Sequence, residues 1–204
     1  MTLLFIFDMD DVLYEYDWRA RMAAMGELTG LSFLELRRLW WHDKGEFGAE
    51  AGLYTTGDAY LAAFEKAIGQ SVDVARWVEI RGAAMTVWPD SVAAAQRASE
   101  LGQTTLLTNN GALLGEHLPT LAPELVDIFG DHLRTSSHYG ARKPDPVVYE
   151  RTLEAYGVEA HNAFFVDDMY ENVESAQRLG ITSHRFLNCA GLHRAIEEFA
   201  ESRG

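Results

Sequence analysis

The sequence predicts an α/β protein built on a doubly wound parallel sheet, with a small helical domain inserted after the first strand. Two observations indicate this fold. From about residue 87 onward, short apolar runs alternate with helical patterns, an order typical of parallel sheets. Residues 16–86, in contrast, contain helical patterns and no convincing strand. We therefore expect an α/β core of residues 1–15 and 87–204 and a helical domain of residues 16–86.

Short buried strands are predicted at four places in the chain. The clearest are nearly unbroken apolar runs that end in polar residues, which is the pattern of a parallel strand covered on both faces. The four segments are Leu3–Asp8, Thr104–Thr108, Ala163–Asp167 and Thr182–Phe186. His132–Ser136 is a further candidate strand.

Helices are predicted in the insert and in the second half of the chain. The insert carries the patterns Trp18–Leu28, Phe33–Trp41, Asp58–Ile68 and Val72–Met85. Because proline interrupts a helix, we expect the chain to return to the core near Pro89. Capping residues and terminal glycines then predict three more helices. These run from Asp90 or Ser91 to Leu101, from Asp145-Pro146 to the stop at Gly157, and from Glu171 to Leu179.

Amino-acid composition and net charge limit the kinds of binding partner that we expect. The 204 residues are 48% hydrophobic and 24% charged, as in ordinary globular proteins. With 31 acidic and 17 basic residues, the net charge of −14 disfavours nucleic acid or an anionic membrane as partner. No stretch has the apolar length of a membrane helix, and the N-terminus lacks the basic region of a signal peptide. Because Cys189 is the single cysteine, we expect a cytoplasmic protein. We also expect a monomer or homodimer.

Polar residues follow the ends of three predicted strands. The segments are Asp8-Met9-Asp10, Thr108-Asn109-Asn110-Gly111 and Asp167-Asp168, and Lys143 precedes a predicted helix start. Ligands of open parallel sheets bind beyond the carboxyl ends of the strands, so we expect these groups at one rim. They would supply four carboxylates, a cation and a polar loop.

This set of groups favours phosphoryl transfer. Four neighbouring carboxylates cannot all stay ionised without compensation. Mg²⁺ fits best as the compensating cation, because it binds through a few carboxylates together with phosphate and water. Carboxylates can act as nucleophile and as general acid or base, and Lys143 with the Thr108–Gly111 loop can stabilise a transferring phosphoryl group.

The same residues resemble a known family. In order, Asp8-x-Asp10-x-Val12, Thr108-Asn109, Lys143-Pro144 and Asp167-Asp168-x-x-x-Asn172 are similar to the four motifs of the haloacid dehalogenase (HAD) superfamily. The resemblance covers essentially the whole chain and implies a Rossmann-like core. The helical insert is similar to the cap domain of the subclass whose cap follows the first strand. Asp11 and Met169 depart from the pattern, since the family often has Gly or Asn and a small residue there.

The resemblance implies a role for each residue that would take part in phosphoryl transfer. Asp8 would attack phosphorus and become a transient aspartyl phosphate. Asp10 would protonate the leaving oxygen and then activate water for hydrolysis. Thr108 and Asn109 would hold phosphate oxygens, and Lys143 would neutralise the nucleophile and the transferring group.

The resemblance also implies a metal site and its support. Mg²⁺ would be bound by the carboxylates of Asp8 and Asp168 and by the backbone carbonyl of Asp10. Asp167 would complete the acidic site, either directly or through a metal-bound water. Asn172 would be a supporting hydrogen-bonding residue.

The expected function is a Mg²⁺-dependent phosphatase acting on a small phosphorylated metabolite. A helical cap would exclude large substrates, which leaves sugar phosphates and nucleoside monophosphates. Arg19, Lys44 and the loop Gly45–Tyr54 are candidates to contact the leaving group. The alternatives are a 2-haloacid dehalogenase, a class that generally lacks the second aspartate, a phosphomutase, and a non-catalytic phosphate-binding protein.

Overall fold

A central parallel sheet and a short ribbon make up the β-structure of the protein. The computed structural model describes residues 2–203. Its strands are β1 (Leu4–Phe7), β2 (Tyr14–Tyr16), β3 (Met85–Val87), β4 (Gln103–Leu106), β5 (Ala163–Asp167) and β6 (Thr182–Arg185). The sheet has the order β4-β1-β5-β6 with every pair parallel, and β2 pairs antiparallel with β3. The predicted α/β class with a parallel sheet is confirmed.

Helices fill most of the remaining chain. They are α1 (Trp18–Thr29), α2 (Phe33–Trp40), α3 (Glu46–Glu50), α4 (Gly57–Ile68), α5 (Val74–Ala83), α6 (Pro89–Leu101), α7 (Ala112–Leu121), α8 (Val126–Phe129), α9 (Pro146–Tyr156), α10 (Tyr170–Arg178) and α11 (Cys189–Glu201). Helices α1 to α5 lie between β2 and β3. Within residues 2–203, no helix combines the length and apolar character needed to span a bilayer.

Strand β1 lies in the middle of the sheet because both of its faces are apolar. All four of its residues are fully buried. Successive side chains of a strand point to opposite faces. Accordingly, Phe5 and Phe7 pack in one hydrophobic cluster with Phe164, whereas Leu4 and Ile6 pack in another. This two-sided burial fixes the strand that Asp8 follows.

The β2–β3 ribbon joins the insert to the sheet and was not predicted. After β1 the chain turns sharply, with the backbone N–H groups of Val12, Leu13 and Tyr14 all donating to the carbonyl oxygen of Met9. The ribbon then brings β2 beside β3, about 70 residues later in the chain. Each strand has only three residues, so the sequence offers no local hairpin signal. The ribbon places the end of α5 close to the end of β1.

Two further sequence predictions were wrong in detail. His132–Ser136 is not a strand, because only Thr135 pairs, in an isolated bridge with Thr108, and a 3₁₀ turn begins at Ser136. Helix α6 is not capped by Asp90 or Ser91. It starts at Pro89, whose ring fixes a backbone angle suited to the first helical position.

The end signals of α9 were predicted correctly. Asp145 caps the helix by accepting a hydrogen bond from the backbone N–H of Val147, and Pro146 is the first helical residue. Gly157 ends the helix with φ of 62°, a conformation that glycine adopts without steric cost. Lys143 lies two residues before this cap.

Candidate active site

A buried ammonium joins two of the predicted carboxylates. Asp8 follows β1 and Asp167 ends β5, the neighbouring strand of the sheet. The Nζ atom of Lys143 lies 2.9 Å from Asp8 Oδ1 and 2.6 Å from Asp167 Oδ2. Only 1% of Lys143 is exposed. Buried charges require partners of opposite sign, and these three residues provide them for one another.

The electrostatics of this cluster favour an additional cation. Burial raises the pKa of Asp8 well above its usual value; Lys143 opposes this rise and the carboxylate of Asp167 adds to it. Burial would lower the pKa of Lys143, but Asp167 and Asp8 outweigh it and raise that pKa. Lys143 is therefore charged at neutral pH. The combined negative charge of two ionised carboxylates still exceeds the single positive charge of this ammonium.

Asp167 and Asp168 occupy different positions in the acidic cluster. Asp167 is fully buried, and its Oδ1 accepts hydrogen bonds from the backbone N–H of Met169 and from Asn172 Nδ2, both at 2.9 Å. Asp168 is partly exposed, and burial with the charges of Asp167 and Asp11 raises its pKa to about 6. Asp167 thus has both oxygens engaged, whereas Asp168 is the more accessible carboxylate.

Three carboxylates are close enough to hold one metal ion. Asp8, Asp167 and Asp168 each offer an oxygen, and the three oxygens lie within 4.8 Å of one another. An all-oxygen donor set of this charge suits a hard divalent cation such as Mg²⁺. The residues present therefore fit the predicted metal.

The Thr108 and Asn109 side chains differ in what they contact. Asn109 Nδ2 donates to the carbonyl oxygen of Lys143, and Asn109 Oδ1 accepts from the backbone N–H of Lys143, both at 2.9 Å. The Asn109 amide therefore holds the Lys143 backbone, and the second N–H of its Nδ2 remains available to a ligand. The Thr108 hydroxyl accepts from Asn110 Nδ2 at 2.9 Å, which leaves its own proton available.

A pocket of about 200 Å³ gathers the predicted residues. Asp167 lies buried beside it, hydrogen-bonded to Lys143 and Asn172. The pocket is lined by Asp8, Asp10, Asp11, Thr108, Asn109, Lys143, Asp168, Met169 and Asn172. Residues from the ends of β1, β4 and β5 and from the Lys143 segment are thus brought together at one rim, as the sequence indicates.

A second cavity of about 210 Å³ adjoins the first and shares Asp10 and Asn109 with it. We call it the insert cavity. Its lining includes Asp10, Tyr16, Trp18, Arg21, Met22, Trp41, Glu46, Glu50, Asn109 and Asn110. Glu46 and Glu50 belong to Gly45–Tyr54, which the sequence singles out as a loop, but the structure has helix α3 over Glu46–Glu50. Arg21 was missed, because a single arginine within a helical pattern carries no local signal of function.

The polar residues of the insert cavity are fixed by buried contacts. Glu46 Oε2 accepts hydrogen bonds from Trp40 Nε1 and Tyr60 Oη, both at 2.6 Å. Glu50 Oε2 lies 2.5 Å from Arg142 Nε. Arg21 Nη1 donates to Tyr16 Oη at 2.8 Å. The cavity wall therefore carries side chains held by neighbouring residues, and it offers both hydrogen-bond donors and acceptors.

One buried arginine contacts Asp10, and sequence reasoning missed it. Arg81 in α5 has no exposed surface, and its Nη2 lies 2.7 and 2.8 Å from the two carboxylate oxygens of Asp10. The two residues are 71 positions apart. The β2–β3 ribbon, which pairs segments about 70 residues apart, helps to bring them together, and no spacing in the sequence indicates the pair.

The chain is similar to known hydrolases in sequence and to solved structures in fold. A family model for haloacid dehalogenase-like hydrolases matches residues 2–180. A phosphatase of Mycobacterium tuberculosis is 28% identical over 191 residues, which cover 88% of this chain and 84% of that protein. A HAD family enzyme of Bacteroides thetaiotaomicron, solved with magnesium and inorganic phosphate, has a TM-score of 0.74 at 20% identity, covering 91% and 94% of the two chains.

The same fold also occurs in a dehalogenase. The L-2-haloacid dehalogenase of Xanthobacter autotrophicus has a TM-score of 0.59 at 19% identity, covering 95% of this chain and 82% of that protein. At these identities the likeness concerns the fold. The reaction therefore has to be argued from the residues of the pocket.

Proposed function

Because this chain belongs to the haloacid dehalogenase-like hydrolases, with a family match over residues 2–180, we propose that it is a Mg²⁺-dependent phosphatase acting on a small phosphate monoester. The family prediction made from the four motifs is confirmed. The observation that carries the proposal is the Lys143 ammonium bound between Asp8 and Asp167, beside Asp168. Phosphoryl transfer needs a nucleophile, a charge clamp and an acid or base within one pocket, and all are present.

The chemistry on the protein side proceeds in two steps. An oxygen of Asp8 attacks phosphorus and forms an aspartyl phosphate, while Asp10 donates a proton to the departing alcohol oxygen. Asp10 then takes a proton from water as that water attacks the aspartyl phosphate, which releases inorganic phosphate and restores Asp8. Lys143 offsets negative charge at Asp8, and the Thr108 hydroxyl donates to a phosphate oxygen.

Asp8 and Asp168 would bind Mg²⁺ directly, together with the backbone carbonyl of Asp10. Bound Mg²⁺ supplies charge stabilisation to the transferring phosphoryl group. Asp167 would support the site through a metal-bound water, because its oxygens already accept hydrogen bonds from Lys143, Met169 and Asn172. The phosphatase of M. tuberculosis and the magnesium and phosphate complex of the B. thetaiotaomicron enzyme are consistent with this proposal.

The size of the insert cavity favours a small polar alcohol as the leaving group. Its volume of about 210 Å³ lies below the roughly 300–1,000 Å³ of pockets that take drug-sized ligands. This size favours a polyol or sugar over the larger nucleoside. Glu46 and Glu50 can accept hydrogen bonds from hydroxyl groups, and the Trp18 and Trp41 rings provide apolar contact. Of the two substrate classes expected from sequence, we propose sugar or polyol phosphates.

The second aspartate distinguishes this proposal from a dehalogenase. Asp10 lines both cavities and can exchange a proton with the leaving group. Halide departure needs no such proton. A phosphomutase would use the same groups but return the phosphoryl group to a sugar, so release of inorganic phosphate separates the two reactions.

The purified protein is expected to hydrolyse p-nitrophenyl phosphate with Mg²⁺ and to lose this activity in EDTA. Across a metabolite panel, sugar and polyol phosphates should show kcat/KM values about tenfold or more above those of nucleoside monophosphates. Inorganic phosphate release is the measurement. No turnover of any phosphate ester, or metal-free release of halide from 2-chloropropionate, would overturn the phosphatase assignment.

Mg²⁺ binding is expected to weaken in acid. A metal-binding carboxylate must be deprotonated, and the pKa of Asp168 is raised to about 6. Protonation therefore competes with the metal below that pH, and affinity for Mg²⁺ should fall by about tenfold between pH 7 and pH 5. Isothermal titration calorimetry at the two pH values provides the measurement. Asp168→Asn should bind weakly at both, and equal wild-type affinities would contradict the assignment of Asp168.

A further inference from the structure

Arg81 belongs to the insert and is buried against Asp10, the residue proposed as general acid and base. It lies near the end of α5 and has no exposed surface. Its Nη2 donates to both oxygens of Asp10, at 2.7 and 2.8 Å, and its guanidinium carbon stands 3.9 Å from the centre of the Tyr16 ring. The insert thus reaches into the site through one charged side chain.

The other polar atoms of Arg81 have no partners. Nε and Nη1 are buried, and within residues 2–203 neither has a hydrogen-bond partner. Leaving buried donors unpaired is costly, and an apolar side chain at this position would avoid that cost. A role in stability alone therefore does not account for Arg81. Its polar contact is with Asp10, and so the explanation lies at Asp10.

We infer that Arg81 is a positioning residue that holds the Asp10 carboxylate at the junction of the two cavities, an inference that rests on the proposed phosphatase function. Asp10 lines both cavities, and its side chain is 20% exposed. Without a partner, the Asp10 side chain could change its χ1 rotamer, and its carboxylate could turn about the broad χ2 torsion. With Arg81 bound to it, the carboxylate faces the position at which the alcohol oxygen would leave phosphorus. Each carboxylate oxygen retains a lone pair for the transferred proton.

The location of Arg81 couples the insert to the chemistry. Asp10 follows β1 of the sheet, whereas Arg81 is carried by the last helix of the insert. A displacement of α5 would therefore move the partner of Asp10. Asp10, the proposed acid and base, is therefore correctly placed only when the insert packs against the sheet. Enclosure of the leaving group is thereby linked to proton transfer.

Arg81→Met tests this through the dependence of the rate on the leaving group. The probes are p-nitrophenyl phosphate and phenyl phosphate, since phenolate is the more basic leaving group and needs the proton more. For phenyl phosphate, kcat/KM should fall by roughly 10²-fold, and for p-nitrophenyl phosphate by no more than about threefold. Arg81→Lys, which keeps a charged donor, should recover most of the loss on phenyl phosphate.

Arg76→Met is the matched control, since Arg76 lies on the same helix but is exposed and pairs with Glu79 at the surface. It should leave both kcat/KM values unchanged. If Arg81→Met does not fold, Arg81→Gln, which keeps a neutral donor, should show the same graded loss. Equal losses on both probes would mean a structural role and would overturn the inference. If the wild type hydrolyses neither probe, the proposed function fails first.

Discussion

Asp8→Asn is expected to abolish phosphate release, lowering kcat by roughly 10⁴-fold or more. A neutral amide cannot attack phosphorus, so no aspartyl phosphate forms. The variant should still fold. Burial raises the pKa of Asp8, and the neighbouring Asp167 raises it further, so the ionised carboxylate is costly in the folded protein. A neutral side chain there should make the protein at least as stable as the wild type at pH 7.

Steady-state hydrolysis of p-nitrophenyl phosphate with Mg²⁺, together with thermal unfolding, measures both effects. Asp11→Asn is the control, because Asp11 lines the same pocket but has no proposed role. Asp11 has φ of 58°, a conformation that asparagine tolerates, and its Oδ1 accepts from the backbone N–H of Tyr16. Asp11→Asn should retain activity within about threefold. Substantial turnover by Asp8→Asn would exclude Asp8 as the nucleophile.

Lys143→Met is expected to cost about 3–5 kcal/mol of folding stability at pH 7, because it leaves two buried carboxylates without their cation. Lys143 Nζ contacts both Asp8 and Asp167, and methionine replaces most of the aliphatic stem of lysine without its charge. Activity should fall with stability, since the charge beside the nucleophile is lost. Urea denaturation gives the stability change directly.

The pH dependence identifies the cause of that loss. Without Lys143, the pKa of Asp8 rises further, because the charge that opposes its rise is gone. An acid with a raised folded-state pKa is protonated in both states at low pH and loses stability as pH rises above its unfolded value. The deficit of Lys143→Met should therefore be smaller at pH 5 than at pH 7. Lys66→Met, at an exposed position on α4, should change stability by less than about 0.5 kcal/mol. A deficit independent of pH would point to lost packing instead.

Local patterns predicted those parts of the fold that depend on local interactions. The apolar run of β1 and the Asp145-Pro146 and Gly157 signals of α9 depend on neighbours in sequence, and the structure has them where they were predicted. The β2–β3 ribbon depends on pairing across about 70 residues and was missed. The domain limits near residues 15 and 87 stay a prediction, although α1 to α5 do lie between the ribbon strands.

The candidate site divides in the same way. Its motif residues were found because each follows a predicted strand or precedes a predicted helix. Their contacts could not be predicted. That Asn109 holds phosphate stays a prediction, whereas the contacts of its amide with the Lys143 backbone were not foreseen. Arg81 pairs with Asp10, 71 residues away, and Arg21 donates to Tyr16, five residues away. Neither contact follows from a pattern that marks these arginines in the sequence.

The two adjoining cavities are lined by different parts of the chain. This difference bears on how mutation can change the substrate preference of the protein. The pocket around Asp8 is lined by residues outside 16–86, whereas most of the insert cavity wall comes from residues 16–50. Under the proposed function, mutations in α1 and α3 alter which alcohol is accepted and leave the groups that handle phosphorus intact. Selection can therefore act on substrate preference separately from catalysis. A mutant library confined to α1 and α3 would explore new specificities in a protein that retains its reaction.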